Sequence, residues 1–205
     1  PELNNWQSTA HKGLNYWFYP AIENPYDFDA TYATSGKGNL WGDDLGGTFF
    51  DPTPPSDYSI AMARSVTLPP NAFLHFNHAF GFDTDPFLEI NYDGGVLEYS
   101  TDNGATWKDA QPLVETNGYN GTLDTSTDNP LAGRMAFVQN SNGYIQSRYD
   151  LSSLAGQPFR IRFRIGVDSA VGYYGWFIDD LQIATCDVTE WPNKNWLPVT
   201  LGYTG

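Results

Sequence analysis

Short runs in which apolar and polar residues alternate, separated by Gly, Pro and Asn, dominate this chain. Alternation with a period of two marks a half-buried β-strand, and the separators are turn residues. The clearest run is 159–167. Phe159, Ile161, Phe163, Ile165 and Val167 point one way, and Arg160, Arg162 and Arg164 the other. Residues 72–82 repeat the pattern, with Leu74, Phe76, His78, Phe80 and Phe82 opposite Phe73, His75, Asn77 and Ala79. Further strands are expected over 14–19, 58–68, 96–100, 135–139 and 144–149, with one short helical turn over 151–156. Asp51-Pro52-Thr53-Pro54-Pro55 reads as a stiff loop. Residues 115–133, rich in Gly, Asn and Thr, read as a long surface loop suited to binding contacts. Many short strands joined by such turns predict an all-β sandwich over residues 1–186, followed by a tail over 187–205.

The run from Gly172 to Ile183, which contains Gly175-Trp176-Phe177-Ile178-Asp179-Asp180-Leu181, reads as a strand that closes the core. Under strict alternation Phe177, Asp179, Leu181 and Ile183 share one face, and Trp176, Ile178 and Asp180 share the other. One aspartate then falls in an apolar row whichever face is the core. A buried, unpaired carboxylate is costly, so a metal ion, an arginine or several N–H donors must meet it.

Composition narrows the function. The 205 residues carry 24 acidic and 10 basic side chains, a net charge of -14. A nucleic-acid partner needs a basic stripe, and an anionic membrane surface needs basic residues too, so both are disfavoured. No apolar run is long enough to span a bilayer. The single cysteine, Cys186, excludes an internal disulfide, a CxxC redox motif and a cysteine-based zinc cluster. No signal peptide is visible, and a start at Pro1 suggests a processed form or an excised domain.

Catalytic patterns are sparse. His75 and His78 face opposite sides of one strand and cannot chelate one ion, which leaves His78 as a hydrogen-bonded core histidine. His11 stands alone, and no GxSxG is present. Ser100-Thr101-Asp102-Asn103-Gly104-Ala105-Thr106-Trp107 matches the Asp-box pattern SxDxGxTW, which resembles the hairpin turns of sialidase propellers. A single copy reads as a structural hairpin. The Arg160, Arg162, Arg164 ladder could receive an acidic sugar, but is read first as a row paired with the protein's own acids. Asp43-Asp44, Asp83-Thr84-Asp85 and Asp179-Asp180 are hard-oxygen pairs of the calcium type, and Asp179-Asp180 has the apolar surroundings that demand compensation.

Taken in order, several landmarks resemble the MAM-like jelly-roll domains of secreted bacterial proteins. This group includes the choice-of-anchor J type, the cleaved-adhesin domains, and modules attached to immune-inhibitor-A-type metallopeptidases. The landmarks are Trp6 and Trp17, Leu40-Trp41, the stretch from Ser65 to Phe76, Asp93-Gly94-Gly95-Val96-Leu97-Glu98-Tyr99-Ser100, Gly118-Tyr119-Asn120-Gly121, Arg160 to Arg164, and Gly175 to Asp180. The resemblance covers most of residues 2–185. It implies a two-sheet jelly roll, an extracellular or cell-surface location and no catalysis. It also implies a structural Ca2+, for which the matching positions are Glu2 with Asp179 or Asp180, joined by Asp43 or Asp44.

The leading expectation is a secreted adhesion or binding module, stabilised by calcium, that contacts a glycan or an extracellular protein. One rival is a self-assembling surface subunit, a homo-polymer that uses the tail as an added strand. Another is a carbohydrate-binding accessory domain with Trp41, Tyr119, Tyr173 and Tyr174 as an exposed aromatic platform.

Overall fold

The computed structural model describes residues 5–21, 33–36, 38–47 and 51–185, and places two antiparallel sheets face to face. The first sheet carries, in spatial order, β1 (Trp6–Lys12), β4 (Ser56–Met62), β15 (Pro158–Val167), β9 (Gly94–Ser100) and β10 (Lys108–Asp109), with β5 (Val66–Thr67) paired to the start of β15. The second carries β11 (Val114–Thr116), β14 (Ile145–Asp150), β6 (Ala72–Gly81), β16 (Gly175–Thr185), β3 (Asn39–Gly42) and β2 (Trp17–Ala21). Two small pairs, β7 (Thr84–Asp85) with β8 (Ile90–Asn91) and β12 (Gly121–Thr122) with β13 (Met135–Ala136), decorate the loops. The long strands β4, β6, β9, β14, β15 and β16 are divided so that the chain crosses repeatedly between sheets, as in a jelly roll.

The inward rows are those the alternation predicts. Phe159, Ile161, Phe163, Ile165 and Val167 of β15 are buried against Leu74, Phe76, Phe80 and Phe82 from the opposite sheet. Trp176 lies at the centre. It meets Phe163 edge-on at 5.3 Å, Phe137 at 5.3 Å and Phe82 at 6.4 Å. Gly95 is glycine because Trp176 covers it: a Cβ there would stand 2.5 Å from the indole ring.

Four local expectations change. The stretch 58–68 is two strands, β4 and β5, broken by a bend at 63–65. Residues 135–139 form a strand only over Met135–Ala136, with Phe137 continuing as a single bridge to Gly95. β1 escapes the pattern because Trp6 is its one buried residue, as expected of an edge strand with a polar surface. The largest correction is in β16. Its pairing with β6 slips between Asp179, opposite Asn77, and Gln182, opposite His75, and Asp180 takes a φ of 49°. This bulge inserts a residue and resets the alternation. Trp176 and Ile178 point into the core before it, and Leu181 and Ile183 point into the core after it. Phe177 and Asp179 therefore face outward and do not share a face with Leu181 and Ile183.

Glu2, Cys186 and the tail 187–205 lie outside the described residues.

Candidate functional site

Asp179 is buried on the outer side of the second sheet, and N–H and O–H groups meet it. Its Oδ2 accepts from Thr34 N at 2.6 Å, Ser35 N at 3.0 Å and Thr34 Oγ1 at 3.0 Å, and its Oδ1 accepts from Asp180 N at 2.8 Å. Asp180 Oδ2 takes Thr34 Oγ1 at 2.7 Å and Asn77 Nδ2 at 3.1 Å, and its Oδ1 takes Ser35 Oγ. The adjacent carboxylates thus form a clasp that ties the segment at Thr34 to the bulge of β16.

Asp43 and Asp44 do not join that clasp. They follow β3, which pairs with β16 through Gly42 and Trp176, and they lie beside Gly175. Asp179 lies four residue steps along the strand from Gly175, about 14 Å at ordinary strand rise. One ion cannot take ligands from both places, so the set that joined Asp43 or Asp44 to Asp179 or Asp180 divides in two. Among the described residues no group of three His, Cys, Asp or Glu side chains is arranged around a common point for a metal ion.

A second carboxylate pair forms at Asp44. Asp44 is 2% exposed and Asp93 0%. Asp44 Oδ2 accepts from Tyr173 N at 2.9 Å and Asp83 N at 3.1 Å. Asp93 Oδ1 accepts from Asp168 N at 2.6 Å and Asn129 Nδ2 at 3.3 Å. The remaining oxygens, Asp44 Oδ1 and Asp93 Oδ2, are buried without a hydrogen-bond partner. The two carboxyl groups lie within hydrogen-bonding reach of each other. Burial pushes Asp44 up to about 7, opposed by the N–H groups of Tyr173 and Asp83. Burial and the charges of Asp44 and Asp168 push Asp93 well above the carboxylate range. Burial also raises Asp83 and Asp168. Asp93 is a landmark of the family resemblance but is not among the sequence-predicted ligands. The signal available was an acid directly before Gly94-Gly95 at the mouth of a buried strand.

The predicted aromatic platform is only partly open. Trp41 is 2% exposed, stacked between Phe18 at 4.8 Å and Phe177 at 5.8 Å, with its Nε1 donating to Tyr174 O at 2.9 Å. Tyr119 is a core residue: its hydroxyl accepts from Leu97 N at 2.8 Å and donates to Leu97 O at 2.9 Å. Neither presents a face to solvent. Tyr173 is 52% exposed, and its ring lies 4.8 Å from that of Tyr174, both resting on Gly81, where no side chain intervenes. The Tyr174 hydroxyl is fixed by Phe80 O at 2.7 Å and Asn140 Oδ1 at 2.9 Å. Asp83 N and Tyr173 N share one oxygen of Asp44, so the β7–β8 hairpin springs from the same end of the sandwich. At its tip Asp85 Oδ1 accepts from Phe87 N at 2.8 Å and Leu88 N at 3.0 Å, which holds Phe87 outward at 95% exposure.

The arginine ladder is closed on the protein's own acids. Arg162 reaches Glu98 at 2.5 Å, Arg134 reaches Glu98 at 2.7 Å and Asp109 at 2.8 Å, and Arg164 reaches Asp57 at 2.6 Å and Glu98 at 3.3 Å. Burial raises the Glu98 carboxyl, but Arg162, Arg134 and Arg164 outweigh it and leave Glu98 below its ordinary value. Arg160 donates to Met62 O and Asn103 O. The Asp box is a hairpin device: Asp102 accepts from Thr106 N at 2.9 Å, Gly104 N donates to Ser100 Oγ at 2.8 Å, and Trp107 lies 4.5 Å from the Arg162 guanidinium. This face has no free cation for an acidic sugar among these residues.

No family model matches this chain, and no curated protein matches it. Several solved structures match in shape. The K1 cleaved adhesin domain of Lys-gingipain from Porphyromonas gingivalis W83 is 14% identical, with 89% of this chain and 92% of that one covered, at a TM-score of 0.46. TmCBM61, in complex with β-1,4-galactotriose, is 12% identical, with 89% of each chain covered, at 0.44. The Endo-D glycoside hydrolase domain from Streptococcus pneumoniae R6 is 17% identical at 0.45. That match covers 84% of this chain but 20% of the other, so this chain spans about a fifth of that protein. At these scores the likeness is one of general shape, and no function is taken from it. No helix among the described residues is long and apolar enough to cross a membrane.

Proposed function

We propose that this jelly roll is an extracellular, non-catalytic binding module that takes a glycan at the end of the sandwich formed by Tyr173, Tyr174 and the β7–β8 hairpin. The observation that carries the reading is Tyr173, half exposed, its ring tilted by 44° against a hydrogen-bonded Tyr174 on a glycine floor. A rigid aromatic face of this kind suits the apolar face of a sugar ring, and the nearby Asn140 and Asp83 supply acceptors for hydroxyl groups. A calcium-type ion as stabiliser belongs to the same reading. Asp44, one of the acids the resemblance matched to the ion, has a buried oxygen with no hydrogen-bond donor among the described residues.

The test is a glycan array followed by calorimetry on any hit. Tyr173→Ala is expected to weaken binding at least tenfold, about 1.4 kcal/mol, without moving the melting temperature. An array with no hits, or a hit indifferent to Tyr173→Ala, refutes the site. Phe87 and Leu88, displayed at the hairpin tip, favour a second reading, adhesion to a protein. In that case Phe87→Ser with Leu88→Ser abolishes protein capture while Tyr173→Ala leaves it unchanged.

A further inference from the structure

Acids on the outer face of the first sheet are met by arginines, as at Glu98 and Asp57. The loop end beside Tyr173 is built differently. Segments 81–93, 121–133 and 165–175 carry Asp83, Asp85, Asp124, Asp128 and Asp168 without one Lys, Arg or His. Hydrogen bonds hold the three segments together. Asp124 N donates to Asn91 O at 3.0 Å, Asn129 Nδ2 donates to Tyr92 O and Gly166 O at 2.8 Å each, and Ser169 N donates to Asp128 Oδ1 at 3.0 Å. None of these five acids forms an ion pair among the described residues. Asp85, Asp128 and Asp168 each give one oxygen to loop N–H groups, and their second oxygens accept nothing from the described residues.

Asp83 is the acid of this group nearest the aromatic pair. A Cβ on Gly81 would meet the Tyr174 ring at 2.4 Å and the Tyr173 ring at 2.5 Å. Phe82, the next residue, is buried in the core, so Asp83 leaves the chain on the same side as those rings. The backbone agrees, because Asp83 N and Tyr173 N donate to one oxygen of Asp44. The Asp83 carboxyl is half-buried and is met by the Thr84 N–H alone among the described residues. Burial raises it above its ordinary value, the Thr84 N–H opposes the rise, and the charges of Asp168 and Asp85 add to it. Desolvation and the charges of Asp85, Asp83, Asp168 and Asp124 likewise raise the neighbouring Tyr92 phenol. The negative field at this end therefore lacks a counter-charge.

A half-exposed aromatic ring beside an uncompensated carboxylate is a receptor for an ammonium group, which is drawn to the ring face and to the anion together. A neutral sugar can bond to the same acceptors but relieves no charge. A uronic or sulfated sugar brings like charge into the field and is repelled. We infer that the Tyr173 site selects glycans that carry free amino groups, with the amine between the Tyr173 ring and the Asp83 carboxylate, and rejects acidic glycans. This specificity rests on the glycan reading of the site and adds the class of sugar to it. The net charge of -14 works in the same direction, since it concentrates cationic ligands near the protein at low salt.

The test is calorimetry with three oligosaccharides of equal length: a glucosamine oligomer, its fully N-acetylated form, and a uronic acid oligomer. It is run at about pH 6, where an amine of this kind is protonated, in low salt and in about 0.3 M salt. The glucosamine oligomer is expected to bind about tenfold more tightly than the N-acetylated one, the gain of one exposed cation–π contact and one exposed ion pair, and the uronic acid oligomer not at all. Salt reduces that preference. Asp83→Asn, which keeps an acceptor for the Thr84 N–H, removes it and leaves the affinity for the N-acetylated oligomer unchanged. Asp168→Asn is the second variant should Asp83→Asn fail to fold. Glu115→Gln, on the far side of the second sheet, keeps the preference. Equal affinity for the amino and N-acetylated oligomers overturns the specificity and leaves the glycan reading standing. A preference that survives both Asp83→Asn and Asp168→Asn overturns it too, since net charge alone would then account for the binding. If no oligomer binds, both the specificity and the glycan reading fall. If a lysine-rich peptide then binds and Phe87→Ser with Leu88→Ser abolishes that binding, the acids belong to the surface for a basic protein.

Discussion

His78 shows how one polar side chain survives in the middle of an aromatic core. Its place in an apolar row predicts a hydrogen-bonded core histidine, and the structure shows the bonds. The Trp176 indole N–H donates to Nδ1 at 3.0 Å, which puts the proton on Nε2. Nε2 then donates to Ser147 Oγ at 2.7 Å, and Ser147 donates to Asn117 O at 2.6 Å. Each group is satisfied only while the ring is neutral, and burial lowers its pKa from 6.5 to about 3. The sign follows directly. Below pH 6.5 the unfolded chain takes up a proton that the folded chain refuses, so stability is complete above that value and falls as pH drops toward 3. The slope from this residue approaches about 1.4 kcal/mol per pH unit. Urea titrations at pH 7 and pH 5 should show that loss, and His78→Gln should flatten the difference while lowering stability at both.

Among the elements, the long strands were legible because their periodicity is a direct consequence of a sheet with one buried face. β15 and β6 needed nothing beyond alternation. β1 and the β7–β8 hairpin were not legible, since a polar edge strand and a two-residue strand carry no period to read. The bulge in β16 was invisible for another reason: alternation assumes unbroken pairing, and a carboxylate pair in an apolar run signals that something is unusual without saying what. The outcome is that one inserted residue, Asp180 at positive φ, returns Leu181 and Ile183 to the core. The acid at Asp179 is spent on the 34–35 segment. Asp179→Ala should cost about 1–3 kcal/mol, the penalty for stranding buried donors. It should also expose the amides of Thr34 and Ser35 to faster hydrogen exchange. Unchanged exchange there would mean that the clasp is held by other contacts. Deleting Asp180 is the harsher change, because it would turn Leu181 and Ile183 outward, and no folded protein is expected.

At the scale of the molecule the two sheets have opposite exteriors. Outside the first, arginines and carboxylates are locked together around Glu98. Outside the second, Phe18, Trp41 and Phe177 stack across β2, β3 and β16 at ring tilts of 17° and 13°, and the aromatic row continues to Tyr174 and Tyr173 at the loop end. Asp44, Asp83, Asp93 and Asp168 lie at that same end, and no ion pair among the described residues includes any of them. On the proposed glycan-binding reading this division would separate stability from recognition, and paired substitutions can test it. Glu98→Gln leaves three guanidinium groups without their shared carboxylate and should cost about 3–5 kcal/mol of folding stability, measured by denaturant midpoint, with ligand affinity unchanged while the protein stays folded. Tyr173→Ala should do the reverse. If Glu98→Gln weakened binding in proportion to its effect on stability, the arginine face would have to be part of the recognition surface, and its internal pairing would be a resting state that a ligand displaces.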